Sequence, residues 1–174
     1  GESLGATRIP LTRQSKDARF AKYRENTRWV RGGVVFATLH AVGSNNNLGR
    51  TPEMDAEYAE RNAANLEWLR ETFRFAKEQK SSGVMLLTQD NPYFEQGWPA
   101  RRRGSLRFAA PTGKASGHDE FIRALTREVL AYDNPVHSGL RGWARTVRRN
   151  LDAGQASHGW LSWVLAVGVP AVAE

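Results

Sequence analysis

A nearly continuous apolar run at residues 34–42 is the clearest strand pattern in the chain. It reads Val-Val-Phe-Ala-Thr-Leu-His-Ala-Val, and residues 25–33 before it contain strand-forming Thr, Trp and Val followed by a Gly-Gly pair. These features predict a hairpin over residues 25–42. A strand that is apolar on both faces is typical of a central strand covered by helices on both sides. We therefore expect residues 34–42 to lie in the middle of a sheet.

The longest amphipathic pattern covers residues 52–80 and predicts a helix. Thr51 is a suitable N-cap, and Pro52 fits the first helical position. Apolar side chains recur at spacings of three, four or their sums, at Tyr58, Leu66, Leu69, Phe73 and Ala76. The short apolar run that follows at residues 84–87 predicts a second buried strand.

Strand, long helix and strand in this order predict a βαβ unit over residues 34–88, and hence an α/β fold. Such a unit pairs its two strands in parallel through a right-handed crossover. The polar segments 43–47 and 88–92 follow the two strands, so we expect them at the same edge of the sheet. Ligands of open α/β sheets bind at this edge.

The remaining segments carry weaker patterns. Residues 1–22 are basic and aperiodic, and they predict a surface loop with one short helix. Residues 93–117 are rich in Gly, Pro and Arg, and an internal loop of this length is usually functional or mobile. Residues 118–132 predict a second amphipathic helix with an inner face of Phe121, Ile122, Leu125 and Val129. Residues 135–174 show no clear periodicity.

Length and composition exclude several classes of protein. The chain has 174 residues, enough for one domain with a buried core, and 40% of them are hydrophobic. Cysteine is absent, which excludes disulfides, zinc–thiolate sites and a thiol nucleophile. The longest apolar stretch, residues 160–173, is interrupted by Gly and Pro and is shorter than the roughly 20 residues of a spanning helix. We therefore expect a soluble chain without a membrane span. The sequence leaves open whether its compartment is the cytoplasm or the periplasm.

Three groups of possible metal ligands follow the predicted strands: His40, the Asn45-Asn46-Asn47 run, and Gln89-Asp90. Divalent metals bind His, Asp and Asn side chains that converge at strand ends. Each group also has a structural interpretation. His40 would then be a satisfied histidine of a buried strand, and the other two groups would be turns, because Asn tolerates left-handed conformations and Asp90 lies close before a proline.

Four segments of the chain combine into a family pattern. They are Arg24-Glu25-Asn26-Thr27-Arg28-Trp29, the run Gly33-Val34-Val35-Phe36-Ala37-Thr38-Leu39-His40-Ala41-Val42-Gly43-Ser44-Asn45-Asn46-Asn47, then Arg61-Asn62-Ala63-Ala64-Asn65-Leu66-Glu67-Trp68-Leu69, and Gln89-Asp90-Asn91-Pro92. Together they resemble one branch of the bacterial calcineurin-like metallophosphoesterases. The resemblance covers roughly residues 1–136.

The resemblance implies a metallophosphoesterase-like sheet flanked by helices. It also implies a divalent metal (Mn, Fe or Zn) at the strand ends, which activates a water to attack a phosphate-ester substrate. His40 and Asp90 are then the first candidates for catalytic contact with metal or phosphate. Asn45 and Gln89 are the next candidates for metal ligands.

The sequence departs from the family pattern at several motifs. An Asp-x-His strand and a Gly-Asp segment come first in the family, and neither occurs in this sequence. Gln89-Asp90 stands where the superfamily often has His, and His137-Ser138-Gly139 does not reproduce the final Gly-x-x-His type of turn. We therefore expect residues 1–136 to be an incomplete phosphoesterase domain that begins after the first motifs. Residues 137–174 would form a basic and then apolar segment of unknown structure.

The function of such a chain has more than one interpretation. The first is a metal-dependent phosphoesterase-like domain, weakly active or inactive in this form and possessing either an incomplete metal site or none. The second is a non-catalytic basic module that binds nucleic acid or another polyanion through residues 101–107 and 141–149. The formal charge of +7 favours a phosphate-bearing partner, although a solubilising surface explains it equally well. The third is a folded remnant without activity.

We predict that any binding of nucleic acid is weak, non-specific and steeply dependent on salt. The arginines fall in predicted loops or in segments without an assigned structure, and not along one helix, so we expect them to neutralise phosphates without reading base edges. Replacing Arg101, Arg102 and Arg103 by Ala should weaken binding to all sequences equally and flatten the salt slope. Fluorescence anisotropy at several salt concentrations measures both. Tight, sequence-selective and salt-insensitive binding would favour the basic-module interpretation.

Overall fold

The computed structural model describes residues 7–89, 116–132 and 163–167 of the chain. Its elements, in chain order, are β1 (Thr12–Arg13), two short 3-10 turns (Gln14–Lys16 and Ala18–Phe20), β2 (Thr27–Arg31), β3 (Val34–Leu39), the single turn α1 (Gly43–Asn46), α2 (Pro52–Glu78), β4 (Gly83–Thr88), α3 (Asp119–Ala131) and β5 (Trp163–Val167). The α/β class predicted from the sequence is confirmed.

A mixed sheet of five strands in the order β1-β2-β3-β4-β5 forms the centre of the described part of the chain. β3 and β4 pair in parallel, with Val34 opposite Gly83 and Leu39 opposite Thr88, and α2 connects them. The other three pairings are antiparallel. The predicted βαβ unit and the central position of β3 are therefore confirmed. β3 ends at Leu39, three residues before the predicted end of the strand.

The β2–β3 hairpin has a two-residue loop, Gly32-Gly33. Their φ angles of 57° and 76° are both left-handed. A two-residue loop of this kind matches the right-handed twist of the strands that it joins, and glycine adopts it without steric cost. The Gly-Gly pair in the sequence was therefore a sound signal for the hairpin.

The hydrophobic core lies between one face of the sheet and the two long helices. Val35, Ala37 and Leu39 of β3 are buried there together with Val84 and Leu86 of β4. α2 and α3 contribute the predicted inner-face residues Leu69, Phe73, Ala76, Phe121, Ile122 and Leu125 to the same cluster. The alternate residues of β3 are half-buried. Among the described residues, β3 is therefore more deeply buried on one face. Its continuous apolar sequence had predicted that helices cover both faces.

The N-terminal end of α2 follows the predicted capping, and the helix ends at Glu78, two residues before the predicted end. The Thr51 hydroxyl accepts a hydrogen bond from the Met54 N–H at 3.2 Å, and Pro52 is the first helical residue. β5 was not predicted, because no periodicity marked its segment, yet it pairs with β4 along five residues. No helix in the described ranges is both long and apolar enough to cross a membrane.

Candidate functional site

The carboxyl ends of the parallel strands β3 and β4 place two of the predicted site residues at one edge of the sheet. His40 follows Leu39 and Gln89 follows Thr88, and these two preceding residues are paired in register. The His40 side chain is 33% exposed, and its Nδ1 lies 4.0 Å from Oε2 of Glu25. Gln89 is exposed. The edge therefore presents an imidazole, a nearby carboxylate and an amide to solvent.

Three buried or largely buried side chains hold the backbone of His40. The His40 N–H donates to Oδ1 of Asn26 at 2.8 Å. Its carbonyl accepts from Nη1 of Arg61 at 3.0 Å and from Nδ2 of Asn65 at 2.8 Å. Buried backbone groups need such partners, and beyond the last strand residue the sheet no longer supplies them. The position of His40 is thus fixed by side chains of β2's entry segment and of α2.

A chain of buried amides connects these side chains to the N-terminal part of the protein. Asn26 is fully buried, and its Nδ2 donates to Oε1 of Gln14 at 2.7 Å and to Oδ1 of Asn65 at 2.9 Å. Gln14 in turn donates to the carbonyl of Ala64 at 2.7 Å. Because each amide uses both its donor and its acceptor, the network fixes one relative position of the 3-10 turn, β2 and α2.

Arg61 is the charged member of this network. Only 1% of it is exposed, and it makes a bidentate ion pair with Glu57, from Nε at 2.5 Å and from Nη2 at 3.0 Å. The hydrogen bonds from Arg61 hold the pKa of Glu57 below its usual value, and that from Asn47 acts in the same direction. Arg61 also donates to Oδ1 and to the carbonyl of Asn46, so one guanidinium connects α2 with the loop after β3.

The Asn45-Asn46-Asn47 run forms a left-handed turn, with φ angles of 58°, 54° and 70°. Its side chains bind the segment before α3. Oδ1 of Asn45 accepts from the Gly117 N–H at 2.9 Å, and Nδ2 of Asn46 donates to the Gly117 carbonyl at 3.0 Å. Nδ2 of Asn45 donates to the Leu48 carbonyl. These contacts are those of a turn, so a metal-ligand role for Asn45 would require its oxygen to serve both purposes.

The network residues Asn26, Arg61 and Asn65 belong to the segments that carry the family resemblance, but no role was predicted for them individually. One signal could have identified those on α2. Asn65 lies four residues before Leu69 and seven after Tyr58, so its spacing places it on the same helix face as these buried apolar residues. A polar residue on such a face needs buried hydrogen-bond partners. Asn26 carried no comparable signal, because its partners are distant in sequence.

Several predicted groups lie outside the described residues. They are Asp90, the arginine-rich segments 101–107 and 141–149, and the segment His137-Ser138-Gly139. His118 is described, and it is fully buried at the start of α3. The roles predicted for Asp90 and for the basic segments therefore stay predictions.

Within 7–89 and 116–132, no group of three or more His, Asp and Glu side chains is placed to hold a metal ion. A catalytic zinc site, for comparison, uses three protein ligands and one water. His40 and Gln89 on their own do not reach that number.

Comparison with known proteins yields no matching family model, no matching curated protein and no matching solved structure. The resemblance to calcineurin-like phosphoesterases therefore depends on the quoted sequence segments alone.

We predict that Gly117→Ala destabilises the fold by about 1–3 kcal/mol, the usual cost of overpacking. A Cβ at this position would lie 2.1 Å from the Asn45 carbonyl oxygen, so the turn and the start of α3 must separate. Gly43→Ala is the matched control, since its Cβ would meet nothing within 4 Å. Urea denaturation of both variants measures the difference. Equal stability of the two would show that the Asn turn does not hold this segment.

Proposed function

We propose that this chain is part of a metal-dependent phosphoesterase-like domain, in which the loops after β3 and β4 form one side of a phosphate-ester site. The observation that supports this most directly is the parallel register of Leu39 with Thr88, which brings His40 and Gln89 to one edge. Binding sites of α/β sheets lie at this edge. On this proposal, the described sheet and helices belong to a metallophosphoesterase-like fold.

Two features of His40 support a proposed contact with metal or phosphate. Its backbone is fixed on both sides by hydrogen bonds, while its imidazole is partly exposed. The Glu25 carboxylate lies 4.0 Å from Nδ1, beyond hydrogen-bond distance, and adds negative charge beside the ring. Fixed position with an accessible ring is the combination that a ligand-binding histidine requires.

A bound divalent metal would supply Lewis-acid polarisation and an activated water. The described residues do not complete a site for it, so we assign to His40 and Gln89 only contributing contacts. Asp90, the residue after Gln89, is proposed as a further contact of the same loop. Hydrolysis would then depend on ligands beyond this set.

The 174-residue chain should therefore show little or no phosphomonoesterase or phosphodiesterase activity with Mn²⁺ or Zn²⁺. An incomplete ligand set leaves the leaving oxygen without the second metal that normally stabilises it. Hydrolysis of p-nitrophenyl phosphate and of bis-p-nitrophenyl phosphate, compared with the free metal ions, measures this activity. Robust turnover that His40→Ala abolishes would show instead that the chain contains a complete site.

Mn²⁺ binding tests the location of the site independently of turnover. We expect paramagnetic broadening of the amide resonances of His40 and Gln89 in a heteronuclear NMR spectrum. His40→Ala should remove the broadening. His158→Ala is the matched control, because it removes a histidine that the proposal does not use. If broadening is absent in the unaltered chain, or persists in His40→Ala, the proposed edge is not a metal contact.

A further inference from the structure

A cleft of about 670 Å³ lies between the β1–β2 edge of the sheet and the C-terminal half of α2. Its volume is in the range of sites that bind small molecules. The lining includes apolar side chains from three parts of the chain, Ile9 and Leu11 before β1, Val30 of β2 and Phe75 of α2. Val30 is 49% exposed, and it is the only exposed large hydrophobic side chain among the described residues.

Arg28 lies in the wall of this cleft, and its surroundings are unusual for a cation. The guanidinium lies between two aromatic rings, 4.6 Å from the centroid of Trp68 and 4.5 Å from that of Phe75. Its Nη1 reaches only the Thr72 hydroxyl, at 3.5 Å, and its buried Nε has no hydrogen-bond partner among the described residues. Burial lowers the pKa of Arg28 and the charge of Arg74 acts in the same direction, whereas the charges of Glu71 and Glu78 act against it.

The lining of the cleft contains cations and no anion. Lys16 and Arg31 are exposed residues of the lining, and Arg28 is the third cationic group. No carboxylate of the described residues lies within 4.0 Å of any of the three. A buried or half-buried charge without a counter-ion is costly, so the cleft is electrostatically complementary to an anionic ligand.

We propose that this cleft binds a single-chain amphiphile with an anionic head, either a carboxylate or a phosphate monoester. The head pairs with Arg28 and with the rim cations, and the alkyl chain covers the apolar lining around Val30 and Phe75. Both parts are needed. The cations alone would bind any anion weakly in water, and the apolar lining alone gives no preference for charge.

The cleft is separate from the proposed phosphoesterase edge. Arg28 pairs with Ala37, three residues before His40, and Val30 pairs with Val35, five residues before it, which is roughly 10 Å and 17 Å along the strand at about 3.3 Å per residue. Val30 lies toward the Gly32-Gly33 hairpin loop, and His40 follows the other end of β3. The apolar part of the cleft therefore extends away from His40. Its occupation therefore does not depend on the function proposed above.

Isothermal titration of the full chain with decanoate and with decyl phosphate, both below micelle formation, tests the proposal. At least one should bind, and the comparison identifies the head group. Decyltrimethylammonium controls for detergent-like binding, and acetate and inorganic phosphate control for the head alone. In NMR spectra, the amides of Val30 and Phe75 should shift on binding, while that of His40 should not.

Two variants assign the binding to this cleft. Arg28→Met keeps the apolar contact with the two rings but removes the charge, and it should weaken binding about 10- to 100-fold, the usual range for a lost charged hydrogen bond. Arg31→Glu changes only an exposed rim residue, so it keeps the test valid if Arg28→Met does not fold. Its matched control is Arg50→Glu, an exposed residue outside the lining. Arg31→Glu should weaken binding, and Arg50→Glu should leave it unchanged.

Three results would overturn the proposal. The first is no binding of either anionic amphiphile. The second is equal binding of decyltrimethylammonium, which would indicate adsorption without a charge preference. The third is unchanged affinity in a folded Arg28→Met or in Arg31→Glu, which would show that the cations of the cleft do not hold the head group.

Discussion

The end of β3 depends on buried hydrogen bonds from side chains that lie far away in the sequence. Asn26, Arg61 and Asn65 together satisfy both backbone groups of His40. A buried group that loses its partner costs about 1–3 kcal/mol, so these bonds define where the strand ends and how the next loop leaves it. The same Arg61 also binds Asn46 of the Asn turn, which in turn binds Gly117 before α3. The His40 ring beside these bonds stays partly exposed.

α2 serves two different purposes along its length. Its N-terminal half turns Arg61, Asn62 and Asn65 inward, and these contact backbone and side chains of the neighbouring loops and of α3. Its C-terminal half turns Leu69 and Phe73 toward the sheet and forms the hydrophobic core. One helix therefore positions a polar edge and stabilises the sheet. The polar half costs desolvation, and only full hydrogen bonding offsets that cost.

The two candidate sites along the β2–β3 hairpin differ in how fully their polar groups are paired. At the His40 end, each buried polar group of the network has a partner, and the groups left for a ligand are those of the exposed edge. Farther along β2, Arg28 lies over the rings of Trp68 and Phe75 and makes no direct ion pair with a described carboxylate. The first arrangement favours a fixed contact residue, and the second favours an anion with an apolar body. At both sites, a residue in or just before β2 contacts α2: Asn26 bonds to Asn65, and Arg28 lies over Trp68 and Phe75.

The sequence by itself determined the elements whose patterns are local. The apolar run of β3, the Gly-Gly hairpin loop, the Thr51 cap and the periodicity of α2 and α3 are short-range signals, and the βαβ order fixed the parallel pairing and hence the common edge of His40 and Gln89. Only the tertiary structure decided that Asn26, Gln14 and Asn65 form one network, and that the side chains of Asn45 and Asn46 hydrogen-bond to the backbone of Gly117. It also decided that the aperiodic segment 163–167 pairs with β4, and that the Arg28 guanidinium lies over the rings of Trp68 and Phe75. The physical reason is that hydrogen bonds and ring contacts between residues tens of positions apart leave no periodicity in the chain, whereas amphipathic faces and turns do.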